Sequence, residues 1–265
     1  MNLDSWNQMV EASRELDMSS FKVKTELNSK FWDEDIRLKP EISKKLLEIA
    51  KSFFEDLDLD VKIDDITLTG SSANYNWSKY SDLDLHILVN YASVDENIDL
   101  VAEYFRGKIS SWNNNHDIMM KDHEVEIYVQ NTTEKHVSSG VYSILNEEWV
   151  VKPSYVEPKI DNQGVKNKAL KIMDIIDSIK ELYDEKKYED AYTISGLMKE
   201  KIRKFRKCGL DLGGEYSTEN LAFKLLRRND YLGELRDIRN QSYDKMMSIR
   251  ENFMKNWSIF KETTK

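Results

Sequence analysis

The sequence predicts an α+β fold, in which a small mixed β-sheet with N-terminal helices precedes a C-terminal helical bundle. Residues 82–89 and 124–129 alternate apolar with polar side chains, as half-buried strands do. After Pro158, the apolar residues recur instead at the spacing of helix turns. Pro153 and Pro158 mark the change, because proline commonly interrupts regular structure.

The N-terminal region is predicted to be helical. Residues 3–16 form one predicted helix. A second helix is predicted to begin just after Pro40, because proline suits the first helical position. Its apolar residues fall on one face at helical spacing, namely Ile42, Leu46, Ile49 and Phe53. We expect this face to pack against the sheet.

A short strand is predicted at residues 65–69, and a turn follows it. Gly70 permits a tight turn because it has no side chain. Ser71 and Ser72 then each add a hydroxyl and an N–H group. A turn that is rich in N–H groups and lacks bulky side chains can wrap phosphate oxygens. We therefore assign Gly70, Ser71 and Ser72 to phosphate binding.

Two aspartates open the next predicted strand. Asp82 and Asp84 are separated by one residue, so their side chains point to the same face of the strand. Two carboxylates this close repel each other unless a cation lies between them. Mg²⁺ is the natural cation, since it prefers oxygen ligands and keeps contacts to water and substrate phosphate. The pair is also compatible with a solvated edge strand, which is the alternative reading.

The remaining elements follow from apolar spacing. A helix is predicted at residues 95–112, ended by three asparagines at 113–115, and then a hairpin of residues 118–120 and 124–129. The C-terminal bundle contains a stripe of Leu170, Met173, Ile176 and Ile179, followed by helices at 188–207, 217–228 and 231–259. We predict two domains, over residues 1–155 and 156–265.

Several cations are candidate ligand contacts. Lys79 lies in the loop before the aspartates and is either a phosphate contact or a solvated lysine. Lys199, Arg203 and Arg206 share one helical face. One interpretation is a cationic wall that binds a triphosphate, an RNA acceptor or a nucleotide acceptor. The other is a solvated helix face.

Bulk composition excludes several protein classes. The chain has 265 residues and no apolar run long enough to span a bilayer, so we expect no membrane association. No N-terminal basic and apolar leader is present, and the single cysteine, Cys208, fits a reducing cytoplasm. The net charge of −9 opposes a DNA-coating role.

The residues from Gly70 to Asp84 resemble the signature of the DNA polymerase β-type nucleotidyltransferase superfamily. That signature is Gly-Ser or Gly-Gly, a spacer, and two aspartates flanked by apolar residues. More closely, the chain resembles predicted nucleotidyltransferases of large tailed bacteriophages. The resembling stretches are LKPEISKKLLEIA, LTGSSANYNWSKYSDLDLHILV, HEVEIYVQ, HVSSGVYSILNEEW and GGEYSTENLAFKLLRRNDYL. A phage-encoded protein would act in the host cytoplasm.

The resemblance implies a third carboxylate on a neighbouring strand. Glu126 matches that position between two apolar residues, and Glu124 on the same face is the alternative. By resemblance, Asp82 and Asp84 bind two Mg²⁺ ions, with Mn²⁺ as a substitute, and Glu126 binds the catalytic ion.

The implied reaction moves a nucleoside monophosphate from an NTP to a hydroxyl and releases pyrophosphate. The preferred acceptor is an RNA 3′ end, and the alternatives are a protein, a small molecule or another nucleotide. The competing hypothesis is a catalytically silent nucleotide-binding or interaction module.

Overall fold

The predicted α+β architecture is confirmed in a computed structural model, which describes residues 16–57, 59, 61–136 and 138–249. The predicted helix at residues 3–16 falls almost entirely outside the described residues. The described residues form two compact units, which separate between Pro158 and Lys159. We call residues 17–158 the sheet unit and residues 159–249 the helical unit, and each is described by itself.

The sheet unit is built on a six-stranded sheet with the order β3-β4-β2-β1-β5-β6. Its strands are β1 Ile63–Thr69, β2 Leu83–Val89, β3 Met119–Met120, β4 His123–Asn131, β5 Val141–Ser143 and β6 Glu148–Val151. Strands β2 and β4 run parallel, and every other pair is antiparallel. The mixed sheet is thus confirmed, whereas β5 and β6 have no counterpart among the predicted strands.

Two helices, α1 (Pro40–Leu57) and α2 (Ile98–Asn115), supply the apolar layer of the sheet unit. The apolar residues of β2 are all fully buried, as their alternation predicts: Leu83, Leu85, Ile87 and Val89. They belong to one core cluster with Leu46 and Phe53 of α1 and Phe105 of α2. The opposite face of β2 therefore carries its polar side chains, including Asp84.

The prediction that three asparagines end the helix before residue 113 is wrong, because α2 continues through Asn115. Asn113 has a structural role that offsets its modest helix propensity. Its amide nitrogen donates to the carbonyl oxygen of Ile127 at 3.0 Å, and its amide oxygen accepts from the Ile127 N–H at 3.1 Å. Asn113 thereby provides hydrogen-bond partners for the backbone of β4 at Ile127, beyond the end of the short strand β3.

The predicted hairpin is confirmed. Strands β3 and β4 are antiparallel and meet at Lys121 and Asp122. Both turn residues have positive φ, 51° and 67°, which is the backbone shape of a two-residue hairpin turn matched to the twist of the strands.

The helical unit contains four helices, α3 (Asn162–Asp184), α4 (Tyr188–Gly213), α5 (Thr218–Arg228) and α6 (Tyr231–Met247). The predicted apolar stripe of α3 is buried, and Ile176 and Ile179 share a core cluster with Met198, Ile202 and Leu235. Ser217 caps α5, since its hydroxyl accepts from the N–H of Asn220 at 3.3 Å. In the part of the chain that the structure describes, no helix is long and apolar enough to cross a membrane.

Candidate functional site

Asp84 and Glu126 are direct register partners on the parallel strands β2 and β4. Thr69 of β1 is the partner of Asp84 on its other side. Neighbouring strands are about 4.8 Å apart, and residues in register point to the same face. The fold therefore brings Asp84 and Glu126 together on the polar face of the sheet, although 42 positions separate them in the sequence.

Asp82 lies one residue before β2 begins. Continued alternation of the extended chain predicts that its side chain is on the same side as that of Asp84. Its backbone is held by the serine turn, because the hydroxyl of Ser72 donates to the carbonyl oxygen of Asp82 at 2.6 Å. Ser72 is fully buried, and its own carbonyl accepts from the indole N–H of Trp32 at 2.8 Å. The side chain of Ser72 thus links the start of the spacer to the aspartate at its end.

Gly70 lies directly against the carboxylate of Asp84. A Cβ atom at position 70 would be 1.8 Å from Oδ2 of Asp84, which is far inside van der Waals contact. Gly70 also has a φ of 74°, a backbone shape that side chains disfavour. Both facts require glycine here, so the turn and the first carboxylate strand are built as one site.

The spacer between the glycine turn and Asp82 is closed by serine contacts. The hydroxyl of Ser71 donates to Oγ of Ser81 at 2.8 Å, and the same oxygen accepts from the N–H of Ser78 at 2.9 Å. Ser71 is half-buried and begins a short 3-10 turn, whose first N–H groups have no acceptor within the turn itself. Ser71 is therefore the serine of the pair whose position suits a ligand contact.

Tyr128 is a functional candidate that the sequence interpretation missed. Its hydroxyl donates a hydrogen bond to Oε2 of Glu126, two residues earlier on the same face of β4. Burial raises the pKa of Tyr128 most, and the hydrogen bond and charge of Glu126 raise it next. The charges of Asp84 and Asp82 raise this pKa further. All three carboxylates therefore act electrostatically on one hydroxyl, which stays protonated at neutral pH.

His86 lies beside this group. It is the register partner of Tyr128, and the two rings stack with centroids 4.9 Å apart. Its Nδ1 is 3.1 Å from Oε1 of Gln130. Burial lowers the pKa of His86, and its hydrogen bond to Gln130 opposes that shift. The sequence predicts His86 on the face of Asp84, either supporting the site or simply packed or at the surface. The same two-residue spacing places Tyr128 on the face of Glu126.

The two candidates for the third carboxylate differ in register. Glu126 is half-buried opposite Asp84, whereas Glu124 is exposed and pairs with Met119 of β3. Continuing the β2–β4 register by one residue would bring Glu124 beside Asp82. The register partner of Asp84 is thus the glutamate between two buried apolar residues, Val125 and Ile127.

The predicted cationic contacts are distributed over both units. Lys79 is exposed in the sheet unit, with its ammonium 4.9 Å from the ring centre of Tyr80. Lys199 and Arg203 belong to α4 in the helical unit and line a cavity of about 410 Å³. Arg203 also pairs with Glu200 at 3.0 Å.

The three carboxylates of Asp82, Asp84 and Glu126 meet part of what a magnesium ion needs from its ligands. Three carboxylates supply the hard oxygen donors that Mg²⁺ takes, so the donor set fits in kind. Glu126 directs one oxygen to Tyr128 instead of to a metal. Correspondingly, no group of three or more His, Cys, Asp or Glu side chains in the described residues is already arranged to hold a metal ion.

Comparison of the chain with protein-family models and with curated proteins gives no match in either case.

Proposed function

We propose that the chain is a Mg²⁺-dependent nucleotidyltransferase that moves a nucleoside monophosphate from an NTP to a hydroxyl group and releases pyrophosphate. One observation carries the proposal: Asp84 and Glu126 are register partners, and the backbone of Gly70 lies against the Asp84 carboxylate. A glycine turn beside paired carboxylates offers both a phosphate contact and a cation site.

The residues of the sheet unit have separate proposed roles. The turn after Gly70 would hold the phosphates of the donor nucleotide through the N–H group of Ser71, the first residue of the 3-10 turn. Asp82, Asp84 and Glu126 would hold magnesium, with Mn²⁺ as a substitute. When bound, the metal would offset the charge of the triphosphate and of the leaving pyrophosphate, and lower the pKa of the attacking hydroxyl.

Tyr128 is proposed to position Glu126 by hydrogen bonding to one of its two oxygens. That contact limits rotation of the carboxylate and leaves its second oxygen directed elsewhere. Glu126 would accept the proton of the acceptor hydroxyl, a role for which a held carboxylate is suited. Ser72 contributes indirectly, through its bond to the backbone of Asp82.

For the acceptor we propose an RNA 3′ end. The support is the exposed basic surface of α4 that carries Lys201, Lys204 and Lys207. Such a surface can follow a phosphate backbone. Acceptors of other classes, namely a protein side chain, a small alcohol or a free nucleotide, form the comparison arms of the experiment.

The test is a transfer assay with each of the four NTPs labelled in the α-phosphate, Mg²⁺, and one acceptor class per reaction. We expect label on the acceptor, and expect Asp84→Asn to lower transfer by about a hundredfold or more, as loss of a charged group at the reacting centre does. The matched control is Asp64→Asn, an exposed aspartate on β1. Transfer that survives both Asp82→Asn and Asp84→Asn would refute the proposal.

A second candidate is a nucleotide-binding module without catalysis. The hydrogen bond from Tyr128 to Glu126 favours it, because it engages the carboxylate that would complete a metal site. Calorimetry separates the two functions. NTP binding that is equally tight with Mg²⁺ and with EDTA, without turnover, supports the module, whereas metal-dependent binding with pyrophosphate release supports the enzyme.

A further inference from the structure

A cavity of about 410 Å³ lies in the helical unit between α4, α5 and α6. Its polar lining is dominated by cationic side chains, namely Lys199, Arg203, Arg206, Arg236 and Arg239. No carboxylate is among its lining residues in the described part of the chain. This concentration of positive charge contrasts with the net charge of −9 for the whole protein.

One arginine of the cavity, Arg239, is held by uncharged groups. The Arg239 guanidinium donates to the carbonyl and the hydroxyl of Tyr192, both at 3.1 Å, and lies 4.2 Å from the ring centre. Arg206 lies 4.3 Å from the ring centre of Phe223. The contacts with Tyr192 fix the guanidinium of Arg239 without cancelling its charge, which prepares it for an anion.

Two carboxylates on the outside of the cavity offset its charge only in part. Glu200 pairs with Arg203 at 3.0 Å, and Asp237 pairs with Arg236 at 3.2 Å. All four side chains are more than half exposed, so water screens both pairs. Arg203 and Arg236 therefore keep part of their attraction for an anion at the cavity.

Besides Ser195 and Asn240, the rest of the lining is apolar. We call its four apolar residues the apolar floor: Ile202, Phe223, Leu232 and Leu235. Small-molecule pockets typically measure about 300–1,000 Å³ and combine apolar walls with a few placed polar groups. The floor suits a flat ring, and guanidinium groups bind phosphate oxygens in pairs. A single nucleotide unit has both features, whereas a long polynucleotide would follow an open surface.

We propose that the helical unit binds a free mononucleotide in this cavity, with the phosphate on the arginines and Lys199, and the base on the apolar floor. The site is separate from the carboxylates of the sheet unit, because every lining residue belongs to the helical unit. Binding here needs no metal, since the cavity itself supplies the positive charge.

The test is calorimetric titration of the full chain with 5′-AMP in EDTA, which removes metal-dependent binding. Asp82→Ala/Asp84→Ala is tested in parallel, so that a failure of the proposed transfer reaction leaves this measurement unaffected. We expect one AMP per chain in both proteins. Adenosine, which lacks the phosphate, and inorganic phosphate, which lacks the base, should each bind at least roughly tenfold more weakly than AMP.

A pair of matched variants on α4 tests whether AMP binds in the cavity. Lys199→Glu reverses a charge that lines the cavity, and we expect it to weaken AMP binding by roughly tenfold or more. Lys204→Glu makes the same change on an exposed residue of that helix outside the cavity, and should weaken binding by less than about twofold. Lys199→Gln only removes the charge, so its loss of AMP affinity should be smaller than that of Lys199→Glu and larger than that of Lys204→Glu.

Four results would overturn the proposal. They are no AMP binding by the wild-type chain, loss of binding in Asp82→Ala/Asp84→Ala, equal weakening by Lys199→Glu and Lys204→Glu, and phosphate binding as tight as that of AMP. Thermal unfolding of each variant establishes that it is folded. A polynucleotide surface would be indicated instead if the chain binds a single-stranded RNA oligomer but not AMP, and if both charge reversals weaken binding of that oligomer equally.

Discussion

The hydroxyl of Tyr128 donates a hydrogen bond to the carboxylate of Glu126, and the two side chains share one face of β4. A hydrogen bond to a charged group contributes about 1.5–3 kcal/mol. Tyr128→Phe removes the donor and keeps the ring. We expect it to lower kcat for nucleotidyl transfer by roughly tenfold or more and to change the KM for NTP little, because Tyr128 acts through Glu126.

Steady-state kinetics with the wild-type chain, Tyr128→Phe and Tyr75→Phe measure this effect. Tyr75 is a half-buried tyrosine of the same unit whose ring packs edge-on against Tyr155, so its variant controls for loss of a hydroxyl elsewhere. An unchanged kcat in Tyr128→Phe would show that Glu126 needs no positioning by this hydroxyl.

Gly70→Ala should disrupt the candidate site. The added Cβ would collide with Oδ2 of Asp84, and alanine is strained at a φ of 74°. We expect the free energy of unfolding to fall by about 1–3 kcal/mol and nucleotide transfer to be lost. Denaturant unfolding and the transfer assay measure the two effects.

The matched control for this substitution is Gly107→Ala. Gly107 lies within α2 with open space around its Cα, so alanine should stabilise the protein by up to about 1 kcal/mol. If Gly70→Ala were as stable and as active as Gly107→Ala, the close approach of Gly70 to Asp84 would have no functional importance.

Asn113→Ala should destabilise the sheet unit, because it removes both hydrogen bonds to the backbone of Ile127. Leaving a buried backbone group unsatisfied costs about 1–3 kcal/mol. Urea unfolding should show that loss, whereas Asn114→Ala at the adjacent exposed position should change the free energy of unfolding by less than about 0.5 kcal/mol. Equal effects of the two variants would contradict the structural role of Asn113.

Lys224 should make stability depend on pH in the alkaline range. The pKa of Lys224 is lowered to about 8 from an ordinary 10.5, and burial is the largest cause. The charge of Glu215 opposes this shift, whereas the charges of Arg228, Arg227 and Arg206 add to it. Between pH 8 and pH 10.5, the Lys224 side chain is therefore protonated in the unfolded chain and mostly deprotonated in the folded chain. The resulting destabilisation is complete below pH 8 and disappears as the pH rises to 10.5.

Lys224→Met removes this charge and keeps a long side chain. We expect it to raise the free energy of unfolding by about 1–3 kcal/mol at pH 7, with the gain vanishing near pH 10.5. Unfolding curves at several pH values measure the difference. Lys204→Met, at an exposed position, should give no pH-dependent gain, and a pH-independent gain in Lys224→Met would refute the titration account.

Local sequence patterns predict most of the helices and the central strands of the fold. The alternation in residues 83–89 predicted a strand with one buried face. Apolar side chains at every second position point to the same side, and can be buried together, only when the backbone is extended. The α1 helix after Pro40 and the buried stripe of α3 followed in the same way from helical spacing. The glycine turn and the two aspartates were visible because they lie within 15 consecutive residues, from Gly70 to Asp84.

Long-range contacts decided the rest. Only the parallel register of β2 and β4 identifies Glu126 as the partner of Asp84, because sequence spacing carries no information about strand pairing. The continuation of α2 through Asn113 depends on bonds to a strand 14 residues away. The cationic cavity likewise forms only where α4, α5 and α6 converge. A helical wheel of α4 alone shows the basic face of that helix but not the residues of the other two helices that complete the lining. Local periodicity sets the elements, and packing between distant segments sets which side chains meet.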